Sequence, residues 1–236
     1  MAITIRARFS KGDALRYISH LDLQRMFGRA LRRANIPVAY SQGFNPHPRL
    51  SFGSALGVGT TSESEFIDVD LAEMLDEQDF ITKMNKILPP GFSIEEAVIY
   101  ETEEGAKQKT LMSVINTAEY EIYFYPRESK VTIELEQALA ALDKLNETQE
   151  WIVSRFSKKK DRELDIKPFV YWMEIVFDEQ VMILKAMVKS GSEANVRPDE
   201  LVTALKTYGD LPEMPYHIHR KKLGIIDETK SIKQPF

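Results

Sequence analysis

Residues 17–59 read YISHLDLQRMFGRALRRANIPVAYSQGFNPHPRLSFGSALGVG. Ser19 and Asp22 fit an S-x-x-D capping box, so a helix is predicted from about His20. Leu23, Met26, Phe27, Ala30, Leu31 and Ala34 recur at helical spacing and make one apolar face. At about 100° per residue, Arg25, Arg29 and Arg32 fall together on the opposite side, with Arg33 at its edge. Asp22 is the only carboxylate in this helix. Solvated helices usually mix signs so that side chains pair. A face this cationic is either simply solvated or meant for an anionic partner. Asn35 and Pro37 end the helix.

The loop that follows, Tyr40 to Arg49, cannot be helical, because Pro46 and Pro48 fix the backbone on both sides of His47. Gly43 permits a positive φ. A stiff loop presenting Tyr40, Phe44, His47 and Arg49 suits stacking on bases or gripping phosphate. The plainer reading is a packed turn whose aromatic rings serve the core. If the loop folds back on the helix start, His20, His47, Arg49 and the free N–H groups of the first turn would form an anion pocket.

The elements on either side repeat one order. Ile3, Ile5, Ala7 and Phe9 alternate with Thr4, Arg6 and Arg8, which predicts a strand with one wet face. Leu50 to Leu56 and Glu65 to Leu71 alternate again. Asp79 to Leu88 reads as a helix stopped by Pro89-Pro90-Gly91, and Phe92 to Tyr100 as a strand. The order β-α-β-β-α-β is that of the ferredoxin-like unit. After a polar linker at 101–109, the second half follows suit. It has a strand ending at Tyr125, a helix over Ile133 to Leu145 and a hairpin turning at Asp178-Glu179. A helix from Pro198 to Tyr208 and a strand from Pro215 to Ile226 complete it. Trp151 to Phe156 fits either a short strand or a helix extension. The chain is therefore expected to be α+β, with two tandem ferredoxin-like (βαββαβ) units at 1–100 and 111–236.

The totals narrow the function classes. A chain of 236 residues with 43% hydrophobic and 28% charged residues has room for real cores. No apolar run is long enough to span a membrane, and the N-terminus lacks a signal-peptide pattern. A cytoplasmic location is expected. The absence of Cys removes a thiol nucleophile, Cys-ligated zinc and an all-Cys iron–sulfur cluster from this chain. The net charge of −5 hides an asymmetry. Residues 1–60 hold nine Lys/Arg against two Asp/Glu, whereas 61–150 hold seven against twenty-one. A globally acidic chain is no general polyanion sponge, but its basic first quarter allows one local anion-binding face.

Two further basic runs, Lys158-Lys159-Lys160-Asp161-Arg162 and His217 to Lys222 with Arg220 at its centre, join the candidates for RNA contact. His217 and His219 share one strand face, but a metal would need further ligands, and no metal or cofactor is assigned. There is no phosphate-binding G-x-x-x-x-G-K, no H-E-x-x-H and no nucleophile elbow.

The run at 17–59, followed by ESEFIDVDL at 63–71, resembles the radical-SAM-linked proteins, a bacterial family of unknown function. The likeness is strong over 1–100 and thinner at KKDRELDIK (159–167) and NVRPDEL (195–201). The resemblance implies partnership with a radical SAM enzyme, which would carry the iron–sulfur cluster. In that family the genes often lie near those for ribosomal proteins and a ribonuclease, so the resemblance also implies RNA or the ribosome as a second partner. The element order also resembles that of the tandem ferredoxin-like RNA-processing proteins of CRISPR systems, at the level of fold alone.

Three readings follow. The first is a non-catalytic RNA-binding or adaptor module using Arg25, Arg29, Arg32, Arg33, Tyr40, Phe44, His47, Arg49, Lys158, Lys159, Lys160, Arg162 and Arg220. The second is a metal-independent ribonuclease or RNA-modifying enzyme with His20 or His47 as general acid or base. The third is a protein-interaction scaffold.

Overall fold

The computed structural model describes residues 2–102, 109–126, 131, 133–155 and 161–236. It is a mixed α+β structure that divides into two compact units, Met1–Asn116 with Arg220–Phe236, and Thr117–His219. No helix among the described residues is long and apolar enough to cross a membrane.

The first unit contains β1 (Ala2–Lys11), α1 (His20–Arg33), β2 (Leu50–Phe52), β3 (Thr60–Leu71), α2 (Glu77–Ile87), β4 (Phe92–Thr102) and the single turn α3 (Leu111–Val114). The second contains β5 (Thr117–Phe124), α4 (Leu135–Glu147), β6 (Ile152–Arg155), β7 (Arg162–Asp165), β8 (Val170–Asp178), β9 (Val181–Lys189) and α5 (Pro198–Gly209). Strand β10 (Tyr216–Ile226) begins in the second unit and ends in the first, where β11 (Ile232–Lys233) folds back on it.

In the first unit β1 lies between β4 and β3 and is antiparallel to both, and β2 pairs with β3 opposite Ile67–Val69. Helix α1 forms as its sequence predicts. Ser19 is the N-cap and accepts from the Asp22 N–H, and Leu23, Phe27, Ala30 and Leu31 are buried. Asn35 takes a left-handed φ of 52° just past the end, the usual terminator. The apolar stripe packs on Ile5, Ala7 and Phe9 of β1 and Ile67 and Val69 of β3, together with Phe80 and Met84 of α2. Phe9 and Phe27 meet at 4.9 Å between ring centres.

The opposite face of this sheet is not wet at β1, contrary to the alternation argument. Thr4 and Arg6 are buried, Arg6 to 4% exposure. Arg6 donates twice to the Asp68 carboxylate, at 2.7 and 2.9 Å, and to the Pro235 carbonyl, and it lies over the Tyr100 ring. Thr4 Oγ1 donates to Asp70 at 3.0 Å. These partners lie 62 to 229 residues away in sequence, beyond the reach of any periodicity. Lys11 is also buried. Its Nζ donates to the carbonyls of Arg16 and Ile18, tying down the segment that leads into α1. Desolvation lowers its pKa, and nearby Glu65 opposes that shift.

The division into units differs from the expected boundaries, because 111–116 and 220–236 belong with the first unit. Part of the reason is Arg220. It is 3% exposed, its Nη1 lies 2.9 Å from both oxygens of Glu65, and its Nη2 donates to the Ala55 carbonyl. Phe236 packs edge-on against Phe66.

The second unit orders its strands β10-β5-β9-β8, with β6 and β7 as a separate two-stranded ribbon. Residues 152–155 are thus strand rather than helix, and β7 is an element that no alternation announced. Helices α4 and α5 meet where Gly209 faces the backbone of Ala141. Arg155 and Glu200 form a partly buried ion pair, with Nη2 to Oε2 at 2.8 Å. The Trp151 indole N–H donates to the Leu145 carbonyl.

Candidate functional site

The loop after α1 is closed by its own hydrogen bonds. Tyr40 bridges Pro48, the Ser41 N–H donates to the His47 carbonyl, and the His47 N–H donates to Ser41 Oγ. Ser41 Oγ also lies 3.0 Å from His47 Nδ1. Gly43 has a φ of 123°, which turns the apex. Phe44 at that apex is fully exposed, and Tyr40 is also exposed. The core aromatic here is Phe52, packed on Phe9 and Phe27.

The base of the loop lies along the middle of α1. Arg25, Arg29, Arg32, Gln24 and Gly28 on the helix face His47, Pro48 and Leu50 across an open groove of about 480 Å³. A Cβ at position 28 would stand 3.8 Å from Pro48, so the glycine keeps the groove floor low. Arg25 pairs with Asp22 at 3.3 Å in full solvent. Arg29, Arg32 and Arg33 are exposed and form no ion pair among the described residues. Arg33 does not line the groove.

Arg49 does not join this face. Strand alternation turns it with Ser51 to the far side of the sheet edge, where it pairs with Asp70 at 2.8 Å. It lines a second hollow of about 310 Å³ with Ser51, Asp68 and Asp70. His47, Pro48 and Leu50 line both hollows and form the ridge between them. Asp68 sits opposite Ser51 in the β2–β3 register. Burial raises its pKa, with Arg6 pulling the other way.

The expected anion pocket at the helix start does not form. Asp22 itself occupies that end, taking the Ser19 hydroxyl at 2.7 Å. That bond first, and Arg25 after it, hold the Asp22 carboxyl below its ordinary range. His20 and His47 go to different partners. His20 Nε2 lies 3.2 Å from Gln24 Nε2, and its ring meets Phe52 at 5.4 Å. His47 bonds within its own loop.

Of the remaining candidates, Arg162 is exposed on β7 in the second unit. Arg220 is a correction: it is a buried structural cation paired with Glu65, not a surface ligand. Lys158, Lys159 and Lys160 lie outside the described residues. Sequence reasoning missed Ser51, Asp68 and Asp70. The alternating acids of ESEFIDVDL were visible, but their meeting with Arg6 and Arg49 depends on strand pairing.

Among solved structures, the chain is similar to a Cbf5–Nop10–Gar1 complex, with a TM-score of 0.45 and 10% identity, over 96% of this chain and 51% of that one. It thus spans about half the length of that neighbour. It is also similar to an unknown protein from Galdieria sulphuraria, with a TM-score of 0.25 and 14% identity, over 93% of this chain and 99% of that one. Neither likeness is close enough to carry an argument. Among curated proteins none matches. A family pattern does match, over residues 4–198, and the chain belongs to that family, described as "Uncharacterized protein conserved in bacteria (DUF2344)".

Proposed function

We propose that this protein is an RNA-binding or adaptor module that works beside a radical SAM enzyme in RNA modification or ribosome-related metabolism. The observation that carries the RNA part is the groove on α1. It brings Arg25, Arg29 and Arg32 together beside an exposed, hydrogen-bonded loop tipped by Phe44. A cationic track next to a bare aromatic ring is the composition of a single-strand binder, with phosphates on the arginines and a base on the ring. The radical SAM partnership rests on the sequence resemblance at 17–59 alone. We read both units as ferredoxin-like. What supports this is the strand order within each unit, fourth, first, third, second, as β4-β1-β3-β2 and as β10-β5-β9-β8.

The test is binding of single-stranded RNA by the wild type and by the triple variant Arg25→Gln, Arg29→Gln, Arg32→Gln. The variant should fold normally and bind more weakly. Its salt dependence should flatten by about 2 in log–log slope, at roughly 0.7 per lost phosphate contact. Unchanged affinity and slope would remove the groove from consideration. Co-purification with the radical SAM enzyme encoded in the same genome tests the partnership separately.

A further inference from the structure

The hollow on the far side of the His47–Pro48 ridge differs in chemistry from the groove on α1. Its carboxylates, Asp68 and Asp70, are balanced by Arg6 and Arg49, so the site is polar without being a plain acidic patch. Ionised carboxylates only accept hydrogen bonds and repel phosphate. A ligand here must bring hydrogen-bond donors, such as the N–H groups of a base. We propose that this hollow is a nucleobase subsite that takes guanine by its Watson–Crick edge, in the same single-stranded RNA whose phosphates lie along α1. The proposal rests on the RNA reading above and adds a base preference to it.

The match is one of pattern. Guanine presents two adjacent donors, N2–H and N1–H, and then the O6 acceptor. The paired side chains of Asp70 and Arg49 present two acceptor oxygens and then guanidinium donors, held together at 2.8 Å. Asp70 Oδ1 already takes Thr4 Oγ1 and Oδ2 takes Arg49. A carboxylate has about four acceptor positions, so each oxygen keeps one open. The Asp70 side chain is 30% exposed and that of Arg49 58%, so both can be reached. The other bases fit less well. Adenine and cytosine offer one amino donor beside an acceptor, and uracil one N–H between two acceptors. Thr4 and Arg49 anchor Asp70, so the edge is read by a fixed group rather than a mobile one. The ridge lines both hollows, so one nucleotide can straddle it, phosphate toward Arg25 and Arg29 and base toward Asp70.

The experiment is fluorescence anisotropy with a labelled ten-residue oligouridine and with versions carrying a single central G, A or C. The G version should bind roughly tenfold tighter than the others, the usual reward of a bidentate base contact. Asp70→Asn keeps the shape and offers a donor where guanine needs an acceptor. It should erase the G preference, so that the G version binds no tighter than the A and C versions. Arg49→Gln, at an exposed position, should also weaken the preference and serves if Asp70→Asn lowers the melting temperature. The triple arginine variant should weaken every RNA alike and keep the ratio. Equal affinity for all four RNAs, or a G preference that survives Asp70→Asn, would overturn the subsite while leaving the RNA reading intact. No binding to any RNA would remove that reading and the subsite with it. GMP bound as tightly as the G-containing RNA, with no effect of the arginine variant, would assign the hollow to a free nucleotide and overturn the proposal.

Discussion

At the scale of single residues, the buried ionic contacts of the first unit are the positions where a substitution is most informative. Glu65 and Arg220 are both almost wholly buried and face each other. Arg220→Ala removes the hydrogen-bonded partner of a buried carboxylate, which typically costs about 3–5 kcal/mol. Urea denaturation should show that loss, and pairing Arg220→Met with Glu65→Leu should recover most of it. Asp227 gives a residue-scale prediction in pH. It accepts from Thr229 Oγ1 and from the N–H groups of Thr229 and Ser231, and it pairs with Lys233. The Thr229 hydroxyl first, and the other contacts after it, lower its pKa from 3.8 to about 2. A folded value below the unfolded one means the turn's stabilisation is present above pH 3.8 and lost as pH falls through about 2. Carboxyl titration by NMR should place Asp227 near that value. In Thr229→Val the midpoint should move up toward 3.8. The sequence displayed these residues and hid their pairings. Arg6 and Arg220 read as surface charges because strands alternate, and their partners, Asp68, the Pro235 carbonyl and Glu65, come from segments far away in sequence.

At the scale of elements, local patterning is most visible where the physics is local. Helix α1 was legible from cap to terminator, because its hydrogen bonds, apolar stripe and stop signal all lie within one stretch of chain. Ser19→Ala should cost about 1 kcal/mol by freeing one orphan N–H of its first turn. The hairpin of β8 and β9 was legible too, down to the turn at Glu179, where φ is 52°. The ribbon of β6 and β7 was not, since strands of four residues carry too little alternation to stand out. The contact of α4 with α5 was equally invisible, because it depends on what Gly209 lacks. A Cβ there would stand 2.4 Å from the Ala141 carbonyl oxygen, a backbone atom that cannot swing away. Gly209→Ala should therefore push the helices apart and cost about 1–3 kcal/mol, as overpacking generally does. Thermal melting of the variant checks this. The candidate site divides the same way. The arginine face and the stiff loop came from local spacing, whereas the hollow of Asp68 and Asp70 came from strand register.

At the scale of the whole molecule, the first unit is discontinuous in sequence, with Arg220–Phe236 completing what Met1–Asn116 begins. A fragment ending at residue 116 lacks the partner of Glu65 and the carbonyl over Arg6. It should unfold without a cooperative transition, and the same fragment joined by a short linker to 220–236 should regain one. Circular dichroism with urea would separate the two. The same layout sets a timetable during synthesis. Residues 117–219 must be polymerised before the first unit can close, a delay of roughly 5–20 s at ordinary translation speeds. In that interval Arg6, Glu65 and the β3 edge that later takes β10 are still waiting for their partners. The N-terminal part of the nascent chain therefore leaves the ribosome first and matures last, and in that window an unpaired strand edge is open to holdase chaperones.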